Sequence, residues 1–207
     1  MAEAAKMLEA LGGRERWASL ASLYIRATHV EKGIPKPYRS EIWRNLDGVQ
    51  FKIVQQNADY HQTVFVNGRE GWLIHNGEMR ALTQEQLAGL LRWDKHLVYK
   101  TIRKIALGGR GIGLKLDGGR RLEVYENGER LATLELDGQR RPSKYYTPAP
   151  DGKADSLTVY TAWGVSDGYV HPTVSEPQGL EAVYRAEVWK PSSGPSAVEF
   201  TPPRPRP

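Results

Sequence analysis

The sequence predicts a mainly β fold built from antiparallel strands, with a small number of helices. The strongest observation is a set of eight Asn-Gly and Asp-Gly pairs, because these pairs supply the positive φ angles that tight hairpin turns require. Three of them begin at Asp117, Asn127 and Asp137, at the spacing of a strand–turn–strand meander. The second observation is that runs between the turns alternate apolar and polar residues. We therefore expect one antiparallel sheet.

The candidate elements follow in order along the chain. Good helix formers over 3–11 end at Gly12-Gly13, which indicates a helix stop, and a short helical turn follows over 14–19. The strands are recognised by β-branched and aromatic residues, and we expect about ten or eleven of them. The best defined runs are 23–28, 49–53, 63–66, 72–75, 122–125, 131–136, 157–163 and 182–189.

A longer helix is expected to begin at Thr83 and to run without a break to Gly108. Thr83 and the Gln three residues later have the spacing of a capping box. Leu87, Leu90 and Leu91 begin an apolar stripe of helical period. Such a stripe usually packs against a sheet, and its width also suits a lid over an apolar cavity. Both interpretations stay open at this point.

Composition excludes several kinds of site. The chain has no Cys, which excludes disulfides, thiolate metal sites and Cys nucleophiles. Its five His do not pair at helical ligand spacing, so we expect no metal and no cofactor. The Gly-rich stretch over 108–113 follows a helix and enters a strand, the reverse order of a phosphate-binding loop. Because no Gly-x-Ser-x-Gly elbow or other nucleophile–base spacing is present, we do not expect an enzyme.

Charge is concentrated in one part of the chain. The formal net charge is +5, and residues 100–144 alone hold eleven Lys or Arg against six Asp or Glu. Such a segment is typical of proteins that meet nucleic acid or lipid headgroups, and it is equally typical of a solvated sheet face. Interleaved glutamates would repel a long phosphate backbone, so we expect anionic lipid and not nucleic acid as the partner.

An apolar cavity is the main candidate site. Val49, Phe51 and Ile53 share one face of a strand, and we expect this face to point inward with Trp43 or Trp72 nearby and the helix leucines above. Four of the six Trp lie on expected strands, which suits either an ordinary core or an aromatic-lined ligand cavity. The candidate ligand-binding residues are Trp43, Val49, Phe51, Ile53, Trp72, Leu87, Leu90, Leu91, Trp163 and Trp189.

Five short motifs resemble those of a known family. They are the helix end over 10–17, the segment 41–44 before a strand, the turn followed by Trp over 66–72, the strand entry over 167–172 and the C-terminal segment over 198–203. In this order they are similar to the bacterial lipoprotein-carrier family, the LolA/LolB-like superfamily.

The resemblance implies a fold and a function. The fold would be an incomplete, strongly curved antiparallel β-barrel, a half-barrel, with helices covering its concave face. It would form one domain over 1–200, followed by a Pro/Arg-rich extended tail over 201–207. The function would be that of a soluble periplasmic carrier or binder of lipid, lipoprotein acyl chains or another apolar ligand, as in the sorting of outer-membrane lipoproteins. Arg44 stands where the family has an Arg that contacts the lid helices.

Several expectations accompany this interpretation. The chain would be a monomer that exchanges its ligand with a membrane-associated donor or acceptor protein. The first residues lack the basic start and apolar run of a secretory signal, so a periplasmic location presumes that a signal was removed. Two alternatives remain: a non-catalytic sensor or interaction module with a protein partner, and a basic β-domain that binds nucleic acid.

Overall fold

The computed structural model describes residues 2–149 and 154–202. In these residues the chain forms four helices and thirteen strands. The helices are α1 (Ala2–Ala10), α2 (Arg14–Ser19), α3 (Gln84–Lys95) and α4 (Val98–Leu107). The strands are β1 (Ser22–Glu31), β2 (Tyr38–Asn45), β3 (Gln50–Gln56), β4 (His61–Asn67), β5 (Glu70–His75), β6 (Glu78–Ala81), β7 (Ile112–Asp117), β8 (Arg121–Glu126), β9 (Glu129–Leu136), β10 (Pro142–Thr147), β11 (Ser156–Ser166), β12 (Tyr169–Pro177) and β13 (Ala182–Ser192).

All thirteen strands belong to one antiparallel sheet. Its hydrogen-bonded order is β6-β5-β4-β3-β2-β1-β13-β12-β11-β10-β9-β8-β7, so β6 and β7 are its two edges and the sheet does not close into a barrel. The expected fold class is confirmed as mainly β, with one antiparallel sheet that stays open and a few helices. The strand count exceeds the expectation partly because β6 has only four residues, all of them exposed, and is too short to be recognised as a strand run.

Hairpin turns connect most of the strands, as the Asn-Gly and Asp-Gly pairs predict. Both residues of the pairs at Asn76, Asn127 and Asp167 have positive φ, which is the conformation of a type I′ turn. In the pair at Asn67, only the glycine takes a positive φ. The pair at Asp151 lies outside the described residues.

The chain divides into two compact units. The first contains the described residues up to Ser19 together with His96–Arg185, and the second contains Leu20–Lys95 together with the described residues from Ala186 onward. The expected single domain over 1–200 stays a prediction. Of the expected tail over 201–207, residues 203–207 lie outside the described part of the chain.

The first unit is built around α4 and aromatic side chains. The ring of Trp17, which is fully buried, stacks on Tyr99 of α4 at 6.4 Å and meets the Tyr169 ring edge-on at 5.4 Å. Helix α4 buries seven of its ten residues, including Ile102 and Ile105. It is therefore a core helix of this unit.

The prediction of one unbroken helix from Thr83 to Gly108 is wrong. Helix α3 ends at Lys95, and α4 begins after Leu97, whose backbone is extended. Sheet side chains and carbonyls satisfy the polar groups at the break: Tyr145 Oη donates to the His96 carbonyl at 2.9 Å, and His96 Nδ1 donates to the Leu131 carbonyl at 2.8 Å. These long-range contacts cannot be read from helical periodicity. The expected stop at Gly108 is present as a left-handed C-cap.

Candidate ligand-binding site

The candidate site is an apolar face of the sheet in the second unit. Phe51 and Ile53 of β3 and Val64 and Val66 of β4 form a buried cluster. The strand register pairs Phe51 with Val66 and Ile53 with Val64, so all four side chains point to the same side of the sheet. Alternation along β3 therefore produces the inward face that the sequence predicts for Phe51 and Ile53.

Helix α3 covers this face with its leucines. Leu87, Leu90 and Leu91 are partly buried and pack against the cluster, as do Leu82 before the helix and side chains of β2 and β5. The three helix positions follow the i, i+3, i+4 spacing of one helix face. The structure thus brings five of the predicted site residues together.

The start of α3 is fixed by the predicted capping box. The Gln86 backbone N–H donates to Thr83 Oγ1 at 3.2 Å, and the Thr83 N–H donates to Gln86 Oε1 at 3.1 Å. These reciprocal bonds satisfy backbone donors that a helix start leaves open.

Gly71 of β5 allows the helix to lie close to the sheet. It is opposite Val66 in the register and so faces the same side as the cluster. A Cβ atom at this position would lie 2.6 Å from Leu82 Cδ1 and 3.1 Å from Leu87 Cδ1, closer than carbon atoms normally approach. The absence of a side chain at Gly71 is therefore part of the fit between α3 and the strands.

Arg44 connects the sheet to the end of the helix. It lies on β2 opposite Phe51 and is 2% exposed. Its guanidinium forms an ion pair with Asp94 of α3, which is 1% exposed. The guanidinium carbon also lies 4.7 Å from the centre of the Phe51 ring and 4.4 Å from that of Trp93. Arg44 thus contacts α3 through Asp94, and the lid role that the resemblance implies for it stays a prediction.

The energetics of such a pair are asymmetric. Replacing a buried ion pair as a whole by apolar residues is often neutral, but removing one partner typically costs about 3–5 kcal/mol, because the other charge stays buried. Arg44 and Asp94 therefore hold α3 against β2 as long as both remain in place, and each makes the other's displacement costly.

Three predicted residues are not part of this face. Trp43 is opposite Lys52, Lys52 is opposite Phe65, and Phe65 is opposite Trp72. Adjacent residues of a strand point to opposite sides, so this row lies on the other face of the sheet from Phe51. The expectation that Trp43 or Trp72 lines the same cavity is wrong for that reason. Val49 precedes β3 in a turn, is 37% exposed and is not among the residues packed on the cluster.

The other two predicted tryptophans have separate surroundings. Trp163 belongs to the first unit, where its ring lies 6.1 Å from that of Tyr160 and 5.3 Å from the Arg141 guanidinium. Trp189 is a buried residue of β13 in the second unit. Ligand contact by either residue stays a prediction.

Sequence reasoning missed several residues of the site. Val64 and Val66 carry the same alternation as β3, and Gly71 lies beside the noted turn over 66–72, so a register argument would have found them. Asp94 has no such signal, because a single acid at the end of an apolar helical stripe is common on solvated helices. Its role depends on contact with Arg44.

Ion pairs neutralise much of the basic segment over 100–144. In the first unit, carboxylates pair with at least six of its eleven cations, some on adjacent strands and others on a helix or a loop. The pKa of Lys144 is raised and that of Glu135 lowered, chiefly because the two side chains share a hydrogen bond of 2.8 Å. The six pairs are Lys104–Glu126, Lys115–Glu123, Arg130–Asp155, Arg140–Glu3, Arg141–Asp137 and Lys144–Glu135.

The described residues contain neither a candidate metal centre nor a membrane-spanning helix. No group of three or more His, Asp or Glu side chains there is arranged to hold a metal ion. Among the four helices, none has the length and apolar character needed to cross a membrane.

Comparison with known proteins gives matches in structure alone. No protein-family model matches the chain, and a search of curated proteins gives no significant match. A LolA superfamily protein of Nitrosomonas europaea superposes with a TM-score of 0.53 at 15% identity, over 95% of this chain and 96% of that chain. A DUF1329 family protein of Desulfovibrio piger gives a TM-score of 0.53 at 12% identity, over 97% and 96% of the two chains.

A third solved structure carries a functional description. It is a putative outer membrane lipoprotein-sorting protein domain from Vibrio parahaemolyticus, with a TM-score of 0.50 at 10% identity, over 92% of this chain and 94% of that chain. Identities this low establish a common fold and leave function open. The resemblance noted in the sequence motifs is confirmed at that level: the chain has the LolA/LolB-like fold.

Proposed function

We propose that this protein is a soluble binder and carrier of an apolar ligand, such as a lipid or the acyl chains of a lipoprotein. The ligand occupies the apolar face formed by Phe51, Ile53, Val64 and Val66 when α3 moves away from it. The observation that carries the proposal is an apolar sheet face covered by one helix, which a buried ion pair fixes at its end.

The difference between α3 and α4 supports α3 as the moving element. Asp94 is the one described residue of α3 that is buried, and its leucines are only partly buried. In contrast, α4 buries seven of its ten residues. Segments with little buried apolar surface open at lower free energy than core segments. Displacement of α3 therefore costs less than displacement of α4.

Ligand binding can compensate this cost without any catalytic group. Burial of each methylene group contributes about 0.8 kcal/mol. An acyl chain that replaces Leu87, Leu90 and Leu91 on the cluster restores the apolar contacts that opening removes. The proposal accordingly assigns no enzymatic step, no metal and no cofactor to the protein.

The setting of the function follows from the fold likeness and is part of the proposal. The Vibrio neighbour is described as a lipoprotein-sorting domain, and by analogy we place this protein in the periplasm as a monomer of one domain. A membrane-associated protein would donate the ligand or accept it.

The two alternatives have weaker support. A nucleic-acid interface needs cations that are available to phosphates, and carboxylates neutralise six of the eleven in the basic segment. A sensor or interaction module that binds only a protein partner would bind no apolar molecule. The following experiment separates that module from a carrier.

Binding of the neutral fluorescent probe N-phenyl-1-naphthylamine tests the proposal. We expect Phe51→Glu to weaken probe binding at least tenfold, because it places a carboxylate in the cluster. Lys52→Glu is the matched control, since the adjacent side chain points to the other face of β3. Probe binding that is equal in the two variants, with both folded by circular dichroism, would contradict the proposed site.

Native mass spectrometry of the purified wild-type protein gives a second measurement that needs no variant. A co-purified species of acyl-chain mass supports the carrier. A ligand-free protein that also fails to bind the probe would overturn the proposal even if Phe51→Glu does not fold.

A further inference from the structure

We infer that the site selects apolar chains that carry an anionic head, a carboxylate or a phosphate, and that this anion takes the place of Asp94 on Arg44. The inference rests on the proposed function and names the chemical class of its ligand. The observation behind it is that the two buried charges next to the apolar cluster belong to different elements: Arg44 to a strand inside the sheet and Asp94 to the helix that covers the cluster.

Arg44 is the fixed partner. It lies on β2, which pairs with both β1 and β3 inside the sheet, so its backbone is held on both sides. Its side chain points to the same face as Phe51, and its guanidinium lies against the Phe51 ring. The cation thus adjoins the apolar cluster and stays there when the helix leaves.

Asp94 is the moving partner. It belongs to the last turn of α3, the helix whose leucines cover the cluster. Trp93, whose ring centre lies 4.4 Å from the guanidinium carbon, belongs to the same turn. Movement of α3 therefore withdraws the carboxylate and one aromatic ring from Arg44 together with the leucines.

An entering ligand meets a different requirement at each part of this opened face. Its chain must replace the leucines on Phe51 and its neighbours, which any apolar chain does. Its head must also replace the Asp94 carboxylate on a guanidinium that apolar side chains surround, because a buried charge without its counter-ion is strongly unfavourable. A neutral or cationic head cannot do this.

The guanidinium suits such an exchange. Its planar arrangement of donors binds carboxylate and phosphate oxygens in pairs, and it remains charged at all relevant pH values. Lys52, the cation next to Phe51 in the sequence, points to the opposite face and does not offer a second anchor. Selection for an anion therefore depends on Arg44.

Displacement of N-phenyl-1-naphthylamine by amphiphiles of equal chain length, used below their micellar concentrations, tests the inference. The set is laurate, dodecyl phosphate, the neutral monolaurin and the cationic dodecyltrimethylammonium. We expect the two anions to displace the probe at concentrations at least tenfold lower than the other two, which corresponds to about 1.4 kcal/mol. The two anionic arms distinguish a carboxylate head from a phosphate head.

Two matched variants separate specific exchange from general attraction to a protein of net charge +5. Arg44→Met and Lys52→Met each remove one positive charge. We expect Arg44→Met to abolish the preference for anions and Lys52→Met to retain it. Asp94→Asn removes the internal competitor, and we expect it to bind laurate more tightly than the wild-type protein does.

The outcomes distinguish this inference from the proposed function. Equal displacement by laurate and monolaurin from the wild-type protein would overturn the anion preference and leave the carrier function intact. Failure of the probe and of all four amphiphiles to bind would overturn the proposed function itself. If Arg44→Met does not fold, the displacement series with the wild-type protein decides by itself. If Lys52→Met loses the preference for anions as Arg44→Met does, the preference is due to general charge attraction.

Discussion

His29 illustrates how burial changes the chemistry of a single residue. It lies on β1, is 8% exposed, stacks on the Tyr38 ring at 4.5 Å and shares a hydrogen bond of 2.5 Å between its Nε2 and Ser40 Oγ. Loss of hydration on burial disfavours the charged imidazolium and lowers the pKa of His29 to about 4. The folded protein therefore keeps this side chain neutral under conditions in which the unfolded chain protonates it.

This shift predicts a loss of stability in mild acid. The unfolded chain binds a proton at His29 below about pH 6.5, whereas the folded protein does so only near pH 4. The free energy of unfolding should consequently fall between these values, by about 2 kcal/mol on going from pH 7 to pH 5. Chemical denaturation at the two pH values measures it.

A variant isolates the contribution of His29. His29→Phe retains the stacking on Tyr38 and removes the titration, so its free energy of unfolding should depend less steeply on pH in this window. His171, whose pKa burial also lowers, remains in the variant and accounts for a residual slope of the same sign. The carboxylates with lowered pKa act below about pH 4.5 and do not contribute here. A slope equal to that of the wild-type protein would refute the assignment.

Gly71 is a position where a single residue decides how closely α3 packs against the sheet. Any side chain there meets Leu82 and Leu87. We expect Gly71→Val to separate the start of α3 from the sheet, and therefore to speed amide hydrogen exchange over 84–95. Gly68→Val is an unsuitable comparison because Gly68 has positive φ. Gly48→Val, with open space around it, is the control that should leave this exchange unchanged.

At the scale of the element, α3 combines weak burial with one strong local contact. A cover of this kind can leave the sheet only if its end contact breaks. We expect Asp94→Ala to weaken attachment of α3 by about 3–5 kcal/mol, because it leaves Arg44 buried without its carboxylate. Amide exchange over 84–95 should then become much faster while exchange in α4 stays as in the wild-type protein.

The control for Asp94→Ala is Glu85→Gln, a conservative substitution at the other end of α3. Glu85 is exposed and lies in the first helical turn, where its charge contributes only a few tenths of a kcal/mol to about 1 kcal/mol through the helix dipole. Exchange that accelerates equally in Glu85→Gln and Asp94→Ala would show that the ion pair does not hold the helix.

A stabilising substitution in α3 provides the opposite test. Gly89 is an exposed helical residue with open space around its Cα, so Gly89→Ala fits without strain. The change should stabilise the helical conformation by about 0.5–1 kcal/mol. If opening requires local unfolding of α3, Gly89→Ala slows amide exchange over 84–95. Because helical amides exchange only after their hydrogen bonds break, unchanged exchange would contradict the expected stabilisation of α3.

At the scale of the whole molecule, the sequence predicts those features that depend on the local period of apolar residues. It does not predict features that depend on contacts between residues far apart in the chain. Alternation over 49–53 gives the inward face of Phe51 and Ile53, and turn pairs give the antiparallel connections. The side of the sheet to which Trp43 and Trp72 point depends on the register of their strands with β3 and β4. The order of the motifs in the sequence does not determine that register. The break at His96 depends likewise on Tyr145 and Leu131, which are far away in the sequence.

Charge is a second property of the whole molecule, and ion pairing changes how much of it is available to a partner. The net charge of +5 is unchanged by pairing, but six cations of the segment 100–144 already face carboxylates. Arg110 and Arg120 are exposed residues of the first unit outside these pairs. If the protein approaches anionic lipid through this segment, these two side chains are available to the headgroups.

Liposome cosedimentation tests this approach to membranes. Each cation near an anionic surface contributes up to about 1 kcal/mol. Reversal of both charges in Arg110→Glu with Arg120→Glu should therefore lower partition onto phosphatidylserine-containing vesicles at least tenfold. Arg39→Glu with Arg69→Glu makes the same change in net charge at exposed positions of the second unit and serves as the control. Equal losses in the two double variants would assign the attraction to net charge. Tight binding to single-stranded or duplex oligonucleotides at physiological salt, without binding to vesicles, would show that the partner is nucleic acid and not lipid.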